Sequence, residues 1–286
     1  MDYHHIPVLT REVLAYLDPK PNENFIDATL GLGGHTLEIL KKTAPNGKIL
    51  AIDQDLEGIN EAKKRLQEYK NRIIYINNNN VYLDKIIRNS GYKRVSGIVF
   101  DLGFASWQVE NDLKGLSFSS SAPLDMRMSA DLNLTASEIL NKYPEKKLAN
   151  LFYEYGDVRG SRKLASKIIE KRRNISIDNT TDLVDIISTK NPKILAPIFQ
   201  ALRIEVNKEL KNLQEVLPKA VEILDKNGRI VVISFHSGED RIVKNFFRAN
   251  KGELEILTKK PIVAGKEETD INPRSRSAKL RAAKKV

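Results

Sequence analysis

A glycine-rich segment at residues 27–35, DATLGLGGH, and an acid on the next apolar run are the residues best suited to bind a small polar molecule. Glycines directly after an apolar run let the backbone turn sharply or approach a ligand closely. Asp53 ends the following apolar run, where one carboxylate can accept hydrogen bonds from both hydroxyls of a ribose. The combination predicts a nucleoside site, although the loop alone is equally compatible with a glycine turn that binds nothing.

The same loop indicates which nucleoside cofactor would fit. Thr36 stands at the sixth position of the glycine pattern, so the G-x-G-x-x-G fingerprint of dinucleotide-binding proteins is incomplete. S-adenosylmethionine has a ribose and an adenine but a sulfonium cation in place of a pyrophosphate, and a nearby acid such as Asp27 suits that cation. We therefore expect S-adenosylmethionine as the cofactor, and a nicotinamide-dependent dehydrogenase is the least favoured alternative.

Two further apolar runs end in polar groups. Asp101 ends the run at residues 95–101, and Ser234 and His236 follow the run that begins at residue 228. The carboxyl ends of parallel strands meet at one edge of a sheet, where ligands bind. A carboxylate there could accept a hydrogen bond from an amino group and orient its lone pair toward a methyl donor. Asp101 could instead cap a loop, and His236 could be a general base, a donor that orients the substrate or a packed turn residue.

These polar groups need a sheet to hold them, and the hydropathy pattern predicts one. Short apolar runs alternate with amphipathic helical segments in the first part of the chain, which indicates a parallel sheet with right-handed crossovers. Only helical patterns occur from residue 134 to about residue 217, before the apolar run at residue 228. We predict an α/β fold, in which a sheet domain of residues 1–108 and 208–286 is interrupted by an all-helical insertion domain of residues 109–207.

Charge and composition indicate a polyanionic partner. The formal net charge of +10 favours contact with phosphate backbones, although a solvated lysine-rich surface is an ordinary alternative. Residues 273–286 carry six basic residues and no acid, so we expect this tail to bind a polyanion. The chain contains no cysteine, which excludes disulfides and thiolate metal sites. Its four histidines form no H-E-x-x-H pattern, and we expect no metal site.

The sequence also indicates where the protein acts. The first residues, MDYHH, contain an acid and lack the basic and apolar regions of a signal peptide. No apolar run approaches the ~18 residues that a membrane span requires. We expect a cytoplasmic protein without a membrane partner.

Several motifs along the chain, taken together, resemble one family. The matching segments are HIPVL at 5–9, DATLGLGGHT at 27–36, AIDQD at 51–55, DLG at 101–103, GLSFS at 115–119, PLDMRM at 123–128, FQALRIEVN at 199–207, ISFHSGEDR at 233–241 and NPRSRSAKLR at 272–281. They resemble the MraW/RsmH family, the small-subunit ribosomal RNA (cytosine-N4)-methyltransferases of bacteria. The resemblance runs nearly end to end and in order.

The resemblance implies a Rossmann-like methyltransferase sheet and transfer of a methyl group from S-adenosylmethionine. The acceptor would be the N4 amine of a cytidine in the decoding region of 16S ribosomal RNA. The implied partner is the small-subunit RNA within the assembled or late-assembling 30S subunit, engaged partly by the helical insertion, and the protein would be a monomer or a homodimer.

The resemblance also implies roles for individual positions. The implied donor contacts are Gly31, Gly33, Gly34, His35, Asp53, Asn80, Asp101 and Gln108. The expected catalytic residues are Asp101, Ser234 and His236. The expected RNA contacts are Arg127, Arg203, Asn207, Arg274 and Arg276.

The chain departs from the family pattern at a few positions. Asn80 stands where the family usually has an aromatic residue, Ala105 and Trp107 replace the usual Ser and Pro, and Gly238 replaces a usual Leu. Two other functions therefore stay open at this point. One is a methyltransferase that acts on another RNA amine or on a protein. The other is a ribosome-assembly protein that binds RNA but no donor.

Overall fold

A computed structural model describes residues 7–103, 114–129 and 131–286 of the chain. The chain divides into two units, one formed by Met1–Ala105 with Leu210–Val286 and the other by Ser106–Glu209. The first unit contains a seven-stranded sheet, and the described part of the second contains helices. Within the described ranges, no helix combines the length and the apolar character that crossing a membrane would require.

The sheet of the first unit is mostly parallel. Its strands are β1 (Phe25–Asp27), β2 (Ile49–Asp53), β3 (Ile73–Asn77), β4 (Val95–Asp101), β5 (Leu224–Ser234), β6 (Leu254–Ile256) and β7 (Lys279–Lys285). Their order is β3-β2-β1-β4-β5-β7-β6, and only β7 pairs antiparallel, with β5 and with β6. The predicted α/β class is confirmed. The chain runs outward from β1 in one direction and from β4 in the other, so the switch point lies at the carboxyl ends of β1 and β4.

Helices cover both faces of this sheet and form the second unit. They are α1 (Thr10–Leu17), α2 (Gly34–Lys42), α3 (Leu56–Arg65), α4 (Leu83–Ser90), α5 (Ala136–Lys142), α6 (Glu145–Gly156), α7 (Ser161–Arg172), α8 (Thr180–Ile187), α9 (Pro192–Asn207), α10 (Glu209–Ile223), α11 (Ser237–Ala249) and α12 (Lys266–Ile271). Apolar side chains of α1, α2 and α3 pack on one face of the sheet, and those of α4, α10 and α11 on the other. The central strands are buried between these layers, which explains their nearly continuous apolar sequences.

The second unit has its own apolar core, formed by α5 to α9. The first of these helices begins in a capping box, in which the Thr135 side chain accepts from the Glu138 amide and the Glu138 side chain accepts from the Thr135 amide. The helical stretch that ends at residue 223 consists of two helices rather than one. Lys208 adopts a left-handed conformation with φ 53° and separates α9 from α10.

The expectation of a basic tail devoted to a polyanion is also wrong in part. Residues 279–285 form β7, a strand inside the sheet with partners on both sides. The side chains of Leu280 and Ala282 are buried, and the Arg281 guanidinium is held by Asp240. The strand signal was the alternation of Lys and Arg with Leu and Ala, which the high charge obscured.

Candidate functional site

The loop between β1 and α2 is shaped by Asp27. This side chain is 1% exposed, its Oδ1 accepts from the Thr29 amide at 3.2 Å, and its Oδ2 accepts from Thr36 Oγ1 at 2.7 Å. Burial raises the pKa of the Asp27 carboxyl. Both oxygens thus make internal contacts, and the first role of Asp27 is to hold the loop rather than to face a cation.

The glycines of this loop serve two purposes. Gly31 and Gly33 have positive φ angles of 51° and 75°, a region that favours glycine. A Cβ at Gly33 would lie 2.7 Å from Leu66 Cδ1, and one at Gly34 would lie 2.9 Å from Pro7 Cβ. A Cβ at Gly31 would meet no atom within 4 Å. Close packing therefore explains Gly33 and Gly34, whereas Gly31 borders open space in which a ligand could lie.

Asp53, at the end of β2, adjoins this open space. Its Oδ2 accepts from the Gly31 amide at 2.8 Å, and its Oδ1 accepts from the Asp55 amide at 2.9 Å. Each carboxylate oxygen has a second lone pair, so both can still accept a hydrogen bond from a ribose hydroxyl. Burial raises the pKa of Asp53 to about 6. The carboxylate is therefore ionised at neutral pH but is close to titrating.

Two asparagines, one at the end of β3 and one after it, complete this side of the site. Asn80 Nδ2 donates to the Ala28 carbonyl at 3.0 Å, and Asn77 Nδ2 donates to the Asp53 carbonyl at 3.1 Å. Asn80 thus lies against the glycine loop, where the sequence predicted a donor contact. Its amide makes a hydrogen bond at a position where the resemblance expects an aromatic ring to stack.

Asp101, at the end of β4, meets the same loop. Its backbone amide donates to Thr29 Oγ1 at 2.6 Å, and its Oδ2 lies 3.5 Å from Nε2 of His35, which is 5% exposed. Burial opposes a charge on His35, but the neighbouring carboxylates of Asp101 and Asp27 raise the pKa of the imidazole. In the part of the chain that the structure describes, Asp101 Oδ1 and His35 Nδ1 are buried without a hydrogen-bond partner. Such atoms fit a site that a polar ligand completes.

Ser234 lies at the same sheet edge as Asp101. Asp101 pairs with Ile233 in the parallel register of β4 and β5, and the Leu102 amide donates to the Ile233 carbonyl at 3.0 Å. Ser234, the next residue, is fully buried, and its Oγ has no hydrogen-bond partner among residues 7–103, 114–129 and 131–286. The structure therefore places Ser234 and Asp101 at the same edge of the sheet, as the strand pattern predicted.

His236 begins α11 as its N-cap. Its Nδ1 accepts from the amides of Gly238 at 3.2 Å and Glu239 at 3.4 Å. This contact supports the turn-residue interpretation for Nδ1, since that nitrogen cannot also take a proton from a substrate. The neutral imidazole then carries its proton on Nε2. A role in orienting a substrate through Nε2 stays a prediction.

Two of the residues predicted to contact RNA, Arg203 and Asn207, make internal contacts. The guanidinium of Arg203 binds both carboxylate oxygens of Glu209, at 2.8 and 3.0 Å, and is nearly buried. Asn207 accepts from the Met128 amide and donates to the Met126 carbonyl, each at 2.9 Å. These bonds give both side chains a structural role, because a buried charge needs a partner and a buried amide needs its hydrogen bonds, and direct RNA contact by Arg203 and Asn207 stays a prediction.

Arg127 is also paired, although it is only partly buried. Its Nε and Nη2 bind the two carboxylate oxygens of Asp125 at 2.7 and 2.8 Å. Arg276 is exposed and Arg274 is half-buried, in a short 3₁₀ helix at Pro273–Ser277. Contact of Arg127, Arg274 and Arg276 with RNA stays a prediction. The predicted donor contact Gln108 and the departures Ala105 and Trp107 lie outside the described residues.

The sequence interpretation missed three residues that hold the site together. Thr29 and Thr36 connect the glycine loop to Asp101 and Asp27 through their hydroxyls. Glu239 is buried, and its Oε2 accepts from the Phe235 amide at 2.8 Å and the His236 amide at 3.3 Å. The spacing of His236 and Glu239, three residues apart at the start of a helix, is that of a capping box and was the available signal.

Comparison with known proteins places this geometry in a family. The model of the MraW methylase family matches residues 2–286. A relative from Heliobacterium mobile, named "Ribosomal RNA small subunit methyltransferase H", is 41% identical over 312 residues, with 100% of both chains covered.

Solved structures share the fold at low sequence identity. A Clostridium thermocellum chain assigned as an rRNA-methylase has a TM-score of 0.51 and 14% identity, with 99% of this chain and 100% of that chain covered. A Streptococcus mutans chain described as a methyltransferase in complex with SAH has a TM-score of 0.50 and 12% identity, with 99% and 100% covered. These likenesses concern the fold, and the full-length match to the family model carries the assignment. The chain belongs to the MraW methylase family.

Proposed function

We propose that the protein transfers a methyl group from S-adenosylmethionine to the N4 amine of a cytidine in the decoding region of 16S ribosomal RNA. The observation that carries the proposal is the Asp101 carboxylate, whose buried Oδ1 has no hydrogen-bond partner among the described residues and lies at the sheet edge that also holds Asp53. The name of the Heliobacterium mobile relative supplies the class of acceptor, small-subunit ribosomal RNA. The N4 amine is favoured because a carboxylate can accept a hydrogen bond from an amine.

The residues of the site fit the donor. Asp53 would accept the ribose hydroxyls through the free lone pairs of its two oxygens, and the open space beside Gly31 would accommodate the nucleoside. His35 and Asn80 border the same loop. When bound, S-adenosylmethionine supplies a methyl group on a sulfonium, which makes that carbon electrophilic.

The chain's own residues would then activate the acceptor. The lone pair of the cytosine amine is delocalised into the ring, which makes the amine a weak nucleophile. Asp101 Oδ1 would accept a hydrogen bond from N4, localise the lone pair and hold the amine in line with the methyl carbon. Ser234 Oγ and His236 Nε2 would orient the base. A paired cytidine would first swing out of its stack, as chemistry on a base generally requires.

The two units would have different roles in the reaction. We assign donor binding and chemistry to residues 1–108 and 208–286, and recognition of the RNA substrate to residues 109–207. The net charge of +10 and the exposed Arg276 support contact with RNA phosphates. The substrate would be the RNA in the assembled or late-assembling 30S subunit, and the protein would act as a monomer or a homodimer.

The proposal can be tested with purified protein, 30S subunits and donor labelled in its methyl group. We expect label in 16S RNA, released by digestion as N4-methylated cytidine from the decoding region. Label on a different base, on a ribosomal protein or on free small substrates in the absence of RNA would contradict the proposed acceptor. A protein that binds no donor by calorimetry would contradict the activity itself.

Asn80 offers a test of how the donor is bound. We expect Asn80→Phe to tighten donor binding several-fold, because stacking of a base on an aromatic ring is worth about 1–3 kcal/mol and exceeds the ~1 kcal/mol of the lost bond to Ala28. Asn80→Ala, which loses the bond and gains no ring, should weaken binding. Calorimetry with S-adenosylmethionine measures both. Equal affinities of the Phe and Ala variants would contradict an adenine site at residue 80.

A further inference from the structure

A basic groove lies away from the donor loop, between α11 and the segment that follows β6. It has a volume of about 390 Å³. Phe247 and Arg281 are among the residues that line it, and both are buried. Four cationic residues line it as well. They are Lys244, Arg248, Lys251 and Lys259, which together with Arg281 are called the basic groove below.

Among the described residues, four of the five cations of this groove have no ion-pair partner, and the fifth, Arg281, is paired with Asp240. In the described ranges, Lys244, Arg248, Lys251 and Lys259 form no ion pair, and no acid lines the groove. Some lysines elsewhere on the surface have a partner one turn away, as in the pairs Lys41–Glu38 at 2.7 Å and Lys142–Glu138 at 2.6 Å. An uncompensated cationic concavity raises the local concentration of anions.

The groove is also held in shape. Asp240 Oδ1 accepts from Arg281 Nε at 2.6 Å and Asp240 Oδ2 from Arg281 Nη2 at 3.1 Å, which joins α11 to β7. Thr258 Oγ1 accepts from the Ala282 amide at 2.9 Å and joins the other wall to the same strand. These hydrogen bonds fix the distance between the two walls of the groove, so the backbone that carries the exposed cations is held in place.

The spacing of the cations suits a chain of phosphates better than a single one. Lys244 and Arg248 are one turn apart on α11, about 6 Å along the axis at a rise of ~1.5 Å per residue. Lys251 continues this row beyond the helix end, and Lys259 stands on the opposite wall. A row of this length spans more than one phosphate of a nucleic acid strand.

The groove also lies within reach of the active site. Arg281, which lines the groove, lies on β7 two residues after Lys279, or roughly 7 Å at ~3.4 Å per residue. Lys279, the first residue of β7, pairs with Ser234 at the edge where Asp101 lies. An extended RNA strand whose base enters the site could therefore continue into the groove within a few nucleotides.

We propose that the basic groove binds the phosphodiester backbone of the RNA substrate and anchors the strand that flanks the target base. The inference rests on the proposed function for the identity of the RNA. It assigns RNA contacts to α11 and to the segment after β6, in addition to the helical insertion and the Arg274 and Arg276 positions expected from the sequence.

The test is RNA binding by a variant with Arg248→Gln, Lys251→Gln and Lys259→Gln, three exposed positions. The probe is a transcript of small-subunit ribosomal RNA without donor, at several potassium chloride concentrations. We expect the dissociation constant to rise on the order of 10- to 100-fold, and the slope of log affinity against log salt to fall by about 2, at ~0.7 per lost phosphate contact. The KM for 30S subunits should rise with little change in kcat.

A matched control removes the same charge elsewhere. Lys42, Lys70 and Lys226 are exposed and lie outside the groove, and their triple replacement by Gln should change RNA affinity less than about 2-fold. A variant with Arg248→Lys, Lys251→Arg and Lys259→Arg keeps the charge and should bind RNA as the unaltered protein does. Melting temperature and donor affinity should be the same in all of these proteins.

Two results would overturn the inference. One is equal RNA affinity and salt slope of the groove variant and the Lys42/Lys70/Lys226 control. The other is a groove variant that loses binding of inorganic pyrophosphate in calorimetry but keeps its RNA affinity, which would make the groove a small-anion site. Since RNA binding is measured without donor, RNA binding through the groove with no methyl transfer would contradict the proposed function and leave the groove assignment standing.

Discussion

Asp101→Asn is expected to lower the rate of methyl transfer to 30S subunits by about 10²–10⁴-fold, the range typical of a lost group that accepts or positions a proton. The amide keeps the size of the carboxyl, but it presents a single acceptor oxygen and no charge to the cytosine amine. The loop should persist, because the Asp101 backbone amide, not its side chain, donates to Thr29 Oγ1. Single-turnover methylation with saturating donor measures the effect.

Donor binding separates this role from a loss of structure. We expect the affinity of Asp101→Asn for S-adenosylmethionine to change by no more than several-fold. Asp225→Asn, the same chemical change at an exposed acid near the opposite end of β5, should leave both rate and affinity unaltered. An Asp101→Ala protein that binds donor normally and methylates at the normal rate would end the assignment of Asp101 as the catalytic acceptor.

Asp53→Asn is expected to weaken donor binding by about 10- to 100-fold, because hydrogen bonds to a charged group contribute about 1.5–3 kcal/mol each. The carboxylate has an accepting lone pair left on each oxygen after its bonds to Gly31 and Asp55. The Asn side chain offers only one acceptor oxygen, and its NH₂ would face the Gly31 or Asp55 amide. Calorimetry at pH 8, where the carboxyl of the unaltered protein is ionised, gives the comparison.

The pH dependence of donor binding follows from the same residue. Burial raises the pKa of Asp53 to about 6, so the carboxyl becomes protonated as the pH falls through 6. The protonated form loses acceptor capacity, and donor affinity should therefore fall below pH 6, by up to ~10-fold per pH unit, and level off above about pH 7. Asp53→Asn has no carboxyl to titrate and should lack this step. If the donor affinity of Asp53→Asn fell equally below pH 6, the titrating group would be another residue, such as His35.

The fold could be predicted because its signal is carried by many residues. The buried strands β1, β2, β4 and β5 are apolar runs that end at Asp27, Asp53, Asp101 and Ser234. Because these strands are buried on both faces, their sequences are almost continuously apolar and are easily recognised as strands. Strand β7 was missed for the opposite reason. Its Lys and Arg residues suggested a solvated tail, and only the pairing of Arg281 with Asp240, which are far apart in sequence, shows how such a charge can be buried.

The candidate site, like the fold, could be predicted from the sequence only in part. The positions of Asp53, Asp101 and Ser234 follow from strand ends, and the sheet brings them to one edge. Whether a polar side chain is used internally depends on neighbours that the local sequence does not reveal. The pairing of Arg203 with Glu209 depends on a residue in the next helix, and the sequence left three roles open for His236, of which the amides of α11 on its Nδ1 favour the turn residue.

The central claim is that this chain methylates one amine of small-subunit ribosomal RNA, and mass mapping of that RNA from cells with and without the protein tests it most directly. The prediction is a single decoding-region cytidine fragment that is 14 Da lighter (one methyl group, ~14 Da) in cells without the protein, with the lost methyl located on N4. Restoring the unaltered gene should restore the methyl group, whereas a gene that encodes Asp101→Asn should not. This result would attribute the modification to this active site. Identical fragments from both cells would contradict the account.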